Sequence, residues 1–142
     1  MVEVGPSARR RLILLSIALF AVALVIRLPG LWEVPRFEDE GDEALWALEI
    51  ATGRRLPLTG SDVYYGPLFS YLLASVFAVF GANILWPRLL IAMFGALTVP
   101  AIFHLGRVVA NWRVGLLAST LALASPALVL VSSHYGWSNS LT

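Results

Sequence analysis

The chain contains no cysteine and no lysine, and only 2 of its 142 residues are histidine. Without cysteine it can form no disulfide, no thiolate metal site and no cysteine nucleophile. Chemistry that depends on a lysine amine is excluded in the same way. There is also no His-rich tract, no glycine-rich phosphate loop and no internal repeat. No surface that alternates basic and aromatic residues is visible, so nucleic acid is not an expected partner.

Hydrophobic residues, by contrast, make up 58% of the chain and charged residues only 13%, with a mean hydropathy of +0.79. This composition is too apolar for an ordinary soluble domain. Long uncharged runs between short polar segments are typical of helices that cross a bilayer. We therefore predict an all-α integral membrane protein that passes several times through the cell membrane, that is, the plasma or inner membrane.

The distribution of charge orients this protein in the membrane. Three arginines at positions 9–11 precede the first apolar run, and eight of the nine acidic residues lie between positions 32 and 67. Arginines beside a span tend to stay in the cytoplasm, so the acidic loop is expected to face outward. A cleaved signal peptide is the alternative, but Arg-Leu-Pro-Gly follows the apolar run where a small-x-small cleavage site would stand. We expect a retained anchor.

The apolar runs divide the chain into seven segments. They are a cytoplasmic N-terminus (1–11), a first transmembrane helix (12–32) in which Arg27 snorkels toward the headgroups, an external loop (33–66), an interfacial or short membrane helix (67–81), two further transmembrane helices (88–107 and 113–133), and an external segment (134–142). The abrupt polar ending favours an N-terminal portion of a longer protein.

The 67–81 helix decides the topology. It holds about thirteen apolar residues, or roughly 20 Å of helix, against a hydrocarbon core of about 30 Å. If it lies in the outer interface, Arg107 and Arg113 fall in the cytoplasm, as the positive-inside tendency prefers. If it crosses, both arginines lie outside. We favour three spans and one surface helix.

A short amphipathic helix is predicted in the external loop at residues 42–52. Acidic residues at its start suit the helix dipole, and Gly53 followed by Arg54 and Arg55 is a typical stop signal. Its apolar side chains predict that it lies on the membrane surface; they are Ala44, Leu45, Trp46, Leu48, Ile50 and Ala51.

Two interpretations of the acidic residues follow from spacing alone. Asp42 would be a helix cap and Glu43 a solvated acid of the first turn, or the two would form a functional pair at the boundary between water and lipid. Glu38, Asp39 and Glu40 are expected to form a solvated acidic face.

The order of motifs along the chain resembles a known family. After the arginine-led span come Asp42-Glu43, Gly66-Pro67-Leu68-x-x-Tyr71-Leu72-Leu73, Phe80-Gly81, Pro87-Arg88-Leu89, Leu105-Gly106-Arg107 and Ser133-His134. This is similar to the N-terminal part of the GT-C membrane glycosyltransferases, specifically the dolichyl-phosphate-mannose–protein mannosyltransferases and bacterial aminoarabinose transferases of glycosyltransferase family 39. The resemblance covers nearly the whole chain but only about the first quarter of such an enzyme.

The resemblance implies a GT-C-like helical bundle fragment, with Asp42 and Glu43 as the catalytic pair. In that family the Asp of the first external loop is taken to be the base that activates the acceptor. Transfer of a sugar from a polyprenyl phosphate requires such a group, since the acceptor hydroxyl or amine must lose a proton.

The remaining candidate site residues are implied in the same way. Tyr64, Tyr65 and Pro67 match a family motif at a junction between loop and helix and are candidates for substrate contact, although interface anchoring explains them equally well. His134 and Asn139 stand where the family often has Arg and Asp. His134 could hydrogen-bond a phosphate or sugar, or be an interfacial histidine. An amide at 139 cannot accept a proton or bind a divalent ion strongly, so we assign no metal ligand. No cofactor is assigned with certainty, and the use of a divalent metal by the protein stays an open alternative.

The expected function is therefore that of the N-terminal part of a hexosyl- or pentosyltransferase. It would take sugar from a polyprenyl-phosphate donor at the extracytoplasmic face and pass it to a protein, lipid or glycan acceptor. This portion alone is expected to be inactive, since the resemblance places much of the donor site in later helices. The alternative is a non-catalytic membrane subunit or truncated helical module that packs against other helices.

Topology is testable because single cysteines can be introduced without background. We expect Ser61→Cys and Ser138→Cys to react with a membrane-impermeant thiol reagent from outside. Asn111→Cys should react only after the membrane is opened, since a bilayer core of about 30 Å separates the two faces. Labelling of position 111 from outside, with position 138 protected, would establish four spans instead.

Overall fold

The computed structural model describes residues 6–31, 33, 38–55 and 67–134, and the side chains at 38, 39 and 132–134 lie outside that description. Its helices are α1 (Pro6–Arg27), α2 (Glu38–Ala51), α3 (Leu68–Phe80), α4 (Trp86–Val109), α5 (Trp112–Ala124) and α6 (Pro126–His134). No strand occurs in this part of the chain. The prediction of an all-α protein is confirmed for the described residues.

Helices α1 and α4 pack against each other in opposite directions. Ser16 Oγ lies 2.8 Å from His104 Nε2. Further along α1, Ala23 is buried in one cluster with Ala96 and Val99 of α4. Beyond the end of α1, the Leu31 carbonyl accepts a hydrogen bond from Arg88 at the start of α4. Later positions in α1 thus meet earlier positions in α4, so the end of α1 and the beginning of α4 share one end of the bundle.

Helices α4 and α5 form a tight hairpin. Asn111 caps α5, because its side-chain oxygen accepts from the backbone N–H groups of Arg113 (3.0 Å) and Val114 (3.1 Å). Gly106 and Gly115 face each other with no side chain between them. A Cβ atom on Gly106 would lie 2.8 Å from Gly115 Cα, and one on Gly115 would collide with the Phe103 carbonyl oxygen. Two glycines therefore let the backbones touch.

The apolar run predicted as a single helix, 113–133, is divided in two. Helix α5 ends at Ala124, Ser125 is extended (φ −81°, ψ 108°), and α6 begins at Pro126. The proline ring disfavours the helical conformation for the preceding residue, and proline has no N–H to continue the hydrogen-bond ladder. Pro100, in contrast, lies inside α4 without ending it.

Helices α2 and α3 pack together beside the start of α4. Their shared cluster of buried side chains comprises Ala47, Phe69, Leu73, Ala74, Phe77 and Ile91. Helix α3 ends at Phe80, one residue before the predicted end at 81, and is followed by Gly81, which adopts φ +82° and donates its N–H to the Phe77 carbonyl at 2.9 Å. A left-handed backbone at this position suits glycine.

The start of α2 differs from the predicted start, whereas its end lies close to the predicted end. The helix starts at Glu38, four residues before the predicted start at 42. It ends at Ala51, one residue before the predicted end at 52. Gly53 follows with φ +71°, and its N–H donates to Ile50 O at 3.0 Å while the N–H of Arg54 donates to Glu49 O at 2.8 Å. This pair of hydrogen bonds is a Schellman motif.

By length and composition, one described helix, Trp86–Val109, could cross a membrane. Helices α3 and α5 are apolar but have 13 residues each, which is short for a hydrocarbon core of about 30 Å. Every described helix also carries large apolar side chains that are exposed in the isolated chain, among them Ile17, Leu45, Val79, Val108, Leu117 and Leu128.

The glycine contact makes a prediction about stability. Gly115→Ala should lower the free energy of unfolding by about 1–3 kcal/mol, since the new methyl must push α5 away from the Phe103 carbonyl. Gly41→Ala is the matched control: it lies within α2, and a Cβ there meets nothing within 4 Å, so it should stabilise by about 0.5–1 kcal/mol. Denaturant unfolding in detergent, followed by circular dichroism, measures both. Equal effects of the two changes would contradict the close contact.

Candidate functional site

A buried arginine joins three parts of the chain at one end of the bundle. Arg88, on the first turn of α4, is 1% exposed. Its Nε and Nη2 donate to the two carboxylate oxygens of Glu40 in α2, at 3.0 Å and 3.2 Å, and its Nη1 donates to the Leu31 carbonyl at 2.6 Å. A guanidinium that binds a carboxylate through two parallel hydrogen bonds fixes orientation as well as distance. Arg88 therefore sets the position of the first turn of α2.

Glu40 was expected on a solvated acidic face, and that prediction is wrong. Glu40 and Glu43 are each only 5% exposed. They are three residues apart, which places them on the same side of a helix, and Ala47 continues that side into the apolar cluster with α3. The earlier start of α2 at Glu38 brings Glu40 into the helix and onto this inner side. Glu38 and Asp39 have side chains outside the described part of the chain.

Asp42 lies on the opposite side of the same helical turn and is exposed. Within the described residues its carboxylate has no hydrogen-bond or ion-pair partner. Leu45, three residues on, is also exposed, and half-buried Trp46 follows it. The outer side of α2 thus combines a carboxylate with apolar and aromatic surface.

An ion pair continues this outer side toward the end of α2. The Arg55 guanidinium lies 5.3 Å from the centre of the Trp46 ring, and its Nε is 3.4 Å from Glu49 Oε2. The guanidinium covers one face of the indole. Glu49 is thereby occupied, whereas Asp42 remains available to an external molecule.

The two predicted catalytic residues consequently have different environments. Glu43 is buried and engaged within the protein, while Asp42 is exposed. A proton acceptor must reach the group that it deprotonates. Of the pair, only Asp42 is accessible from outside the bundle.

Arg27, at the end of α1, is also buried rather than snorkelling as the sequence predicts. It is 1% exposed, and its Nη1 turns back to donate to the Ala23 carbonyl at 3.0 Å. Two buried arginines, Arg27 and Arg88, thus match two buried glutamates, Glu40 and Glu43, in formal charge. Burial of an unbalanced charge is costly, and this balance avoids it.

The structure describes only some of the other predicted site residues. Pro67 is half-buried just before α3, and its carbonyl accepts the N–H of Tyr71 at 3.0 Å. His134 ends α6, with its side chain outside the description. Tyr64, Tyr65 and Asn139 lie outside the described residues. The structure therefore joins Asp42 and Glu43 on one helix and leaves the convergence of the others a prediction.

His104, the second histidine, has a structural contact. Ser16 Oγ donates its single proton to the Leu12 carbonyl at 2.9 Å. The same oxygen lies 2.8 Å from His104 Nε2, a hydrogen bond in which the histidine tautomer determines the donor. The bond ties α1 to α4. Among the described residues, no group of three or more His, Asp or Glu side chains could hold a metal ion.

Sequence reasoning missed Glu40 and Arg88 as partners. One signal was available: Glu40, Glu43, Ala47 and Ala51 recur at helical spacing, so a helix extended back to Glu38 places both acids on its inner side. Two buried acids on one side of a helix require a cation nearby. The choice of Arg88 among ten arginines needs the fold.

No protein-family model matches the chain, and comparisons with curated proteins and with solved structures gave no match.

The buried ion pair can be tested with two matched substitutions on α2. Glu40→Gln should lower the free energy of unfolding by about 3–5 kcal/mol, because it leaves the Arg88 guanidinium buried without its counter-charge. Glu49→Gln removes the same charge from a pair that is about one-third exposed, and should cost less than about 1 kcal/mol. Denaturant unfolding in detergent measures both variants, and similar losses would show that Glu40 does not hold the helix.

Proposed function

We propose that the chain forms the N-terminal helices of a polytopic membrane glycosyltransferase with a GT-C-like bundle. The enzyme would transfer a hexose or pentose from a polyprenyl-phosphate donor to a protein, lipid or glycan acceptor at the extracytoplasmic face of the cell membrane. Asp42 is the general base for the acceptor in this proposal. The order of motifs along the chain motivates this proposal, and the exposed position of Asp42 on α2 is the observation that supports it.

The supporting observation is an exposed carboxylate on a helix that is fixed from behind. Glu40 and Glu43 are buried within two residues of Asp42, and Arg88 holds Glu40 through two hydrogen bonds. The backbone that carries Asp42 therefore has little freedom, while its carboxylate remains exposed. A general base works by positioning as much as by basicity, so a rigid support favours this role.

The direction of the helices is compatible with the proposed topology. Because α1 and α4 are antiparallel, Arg107 lies at the same end of the bundle as the arginines at positions 9–11, and Asp42 lies at the other end, near Arg88. Cytoplasmic placement of the basic end then gives the acidic helix an external location. This arrangement supports a surface position for α3 between two helices that cross.

Buried Glu43 has a supporting role in this proposal rather than a second catalytic one. Its carboxylate is engaged within the protein, on the side of α2 that faces the bundle. It helps to fix the turn from which Asp42 projects. The family resemblance alone does not separate the two acids in this way.

A non-catalytic membrane module remains the second candidate, and the exposed apolar surface favours it. Large apolar side chains are exposed on all described helices, and lipid or further helices must cover them. The uninterrupted reading frame discriminates between the candidates. Several hundred further residues with repeated apolar spans favour the enzyme, and a stop codon directly after Thr142 favours the module.

Substitution of Asp42 tests the catalytic proposal in the full product of the reading frame. Asp42→Asn keeps the size of the side chain but removes the proton acceptor, so transfer from a lipid-linked sugar should fall by about 10²–10⁴-fold. Glu49→Gln, on the same outer side of α2, is the matched control and should retain most activity.

Both variants must insert and unfold as the unaltered protein does, which cysteine labelling and denaturant unfolding establish. A correctly folded Asp42→Asn protein with unchanged transfer would refute the assignment of the base.

A further inference from the structure

Five arginines gather at the end of the bundle away from α2. Positions 9–11 lie in the first turns of α1, Arg107 in the last turn of α4, and Arg113 in the first turn of α5. The contact between Ser16 and His104 sets the level of α1 against α4. Arg11 is five residues before Ser16 and Arg107 three residues after His104, so both lie within about 8 Å of that level along the axis. The contact between Gly106 and Gly115 places Arg113 there as well.

This basic end has no acidic counterpart among the described residues. The described acids are Glu33, beyond the end of α1, and those of α2. Helix α2 meets α4 at Arg88 and Ile91, and Ile91 is sixteen residues, or about 24 Å of helix, from Arg107. Two ion pairs among the described residues are Arg88 with Glu40 and Arg55 with Glu49, and neither includes any of these five arginines. Within the part of the chain that the structure describes, the five arginines therefore present positive charge without an acidic partner.

Apolar surface adjoins these charges directly. Val108 and Val109 are 79% and 76% exposed, and Trp112 is 57% exposed. The Arg113 guanidinium lies 5.7 Å from the centre of the Trp112 ring. Tryptophan beside arginine at the end of apolar helices is typical of the headgroup level of a bilayer. A nucleic acid would give the exposed valines no partner, whereas acyl chains do.

We propose that this end of the bundle is a docking surface for the headgroups of anionic phospholipids in the adjoining leaflet. Guanidinium groups bind phosphate oxygens through paired hydrogen bonds, while Val108, Val109 and Trp112 contact the adjoining acyl chains. The proposal rests on the membrane location given above but not on sugar transfer. Each basic residue near an anionic surface is worth about fivefold in affinity.

The test uses the whole chain, which has no cysteine of its own. A fluorophore on Val109→Cys is placed in vesicles of phosphatidylcholine and phosphatidylglycerol, and one of the two lipids carries a nitroxide quencher on its acyl chain. We expect phosphatidylglycerol to compete for this position about fivefold or more better than phosphatidylcholine. The preference should decline in high salt, because the five arginines are at the surface.

Two controls locate the effect. The same fluorophore on Val79→Cys, an equally exposed position (74%) in α3, should show no such preference. Arg107→Gln combined with Arg113→Gln should remove most of the preference at 109, while Arg54→Gln combined with Arg55→Gln should leave it intact. If the protein with Arg107→Gln and Arg113→Gln does not fold, the role of the arginines is tested by salt instead. The preference at position 109 should then be lost between low and high salt in the protein that keeps all five arginines.

The outcomes separate this proposal from the preceding one. Equal quenching by both lipids at position 109 would overturn the headgroup surface and leave the membrane location standing. Quenching by neither lipid at either position would overturn both. A preference for phosphatidylglycerol that persists without Arg107 and Arg113, or in high salt, would also overturn the proposal.

Discussion

The end of the bundle that carries the candidate site depends on one constraint, the buried contact between Arg88 and Glu40. Removing both charges from water costs several kcal/mol per ion, and the cost is offset only where the geometry satisfies the donors. Here the carboxylate accepts two guanidinium hydrogen bonds and the Leu31 carbonyl accepts a third. Because the partners belong to α2, α4 and the segment after α1, their separation is fixed by hydrogen-bond length in addition to the apolar packing of Ala47 against Ile91 and its neighbours.

The two sides of α2 differ in exposure, which is a second consequence of this buried contact. One side carries Glu40, Glu43 and Ala47, all buried, while Asp42 and Leu45 on the other side are exposed. The described part of the bundle also separates its charges along its length, with acids near the start of α4 and arginines without a described acidic partner near its end. Any membrane that surrounds α4 would meet two faces of different charge.

The sequence predicted those features that depend on neighbouring residues. Gly81 and Gly53 end their helices because glycine accepts a left-handed backbone there. It predicted poorly where partners are distant: Arg88 and Glu40 are 48 residues apart, and no local pattern pairs them. The division at Ser125 had a local signal in Pro126. The uncharged run 113–133 was predicted as one helix from its hydropathy, and hydropathy does not register the N–H group that proline lacks. Arg27 was expected to snorkel because it lies near the end of an apolar run, and its burial was missed because the fold determines its surroundings.

The two glycines between α4 and α5 also bear on the order in which the chain folds. Only Ala110 and Asn111 connect these helices, so bringing them together closes a very short loop at low entropic cost. The contact between Arg88 and Leu31 instead closes a loop of 57 residues. Local contacts form faster than distant ones at similar stability. We therefore expect the hairpin of α4 and α5 to form early, and the contacts of Arg88 with Leu31 and Glu40 to form later.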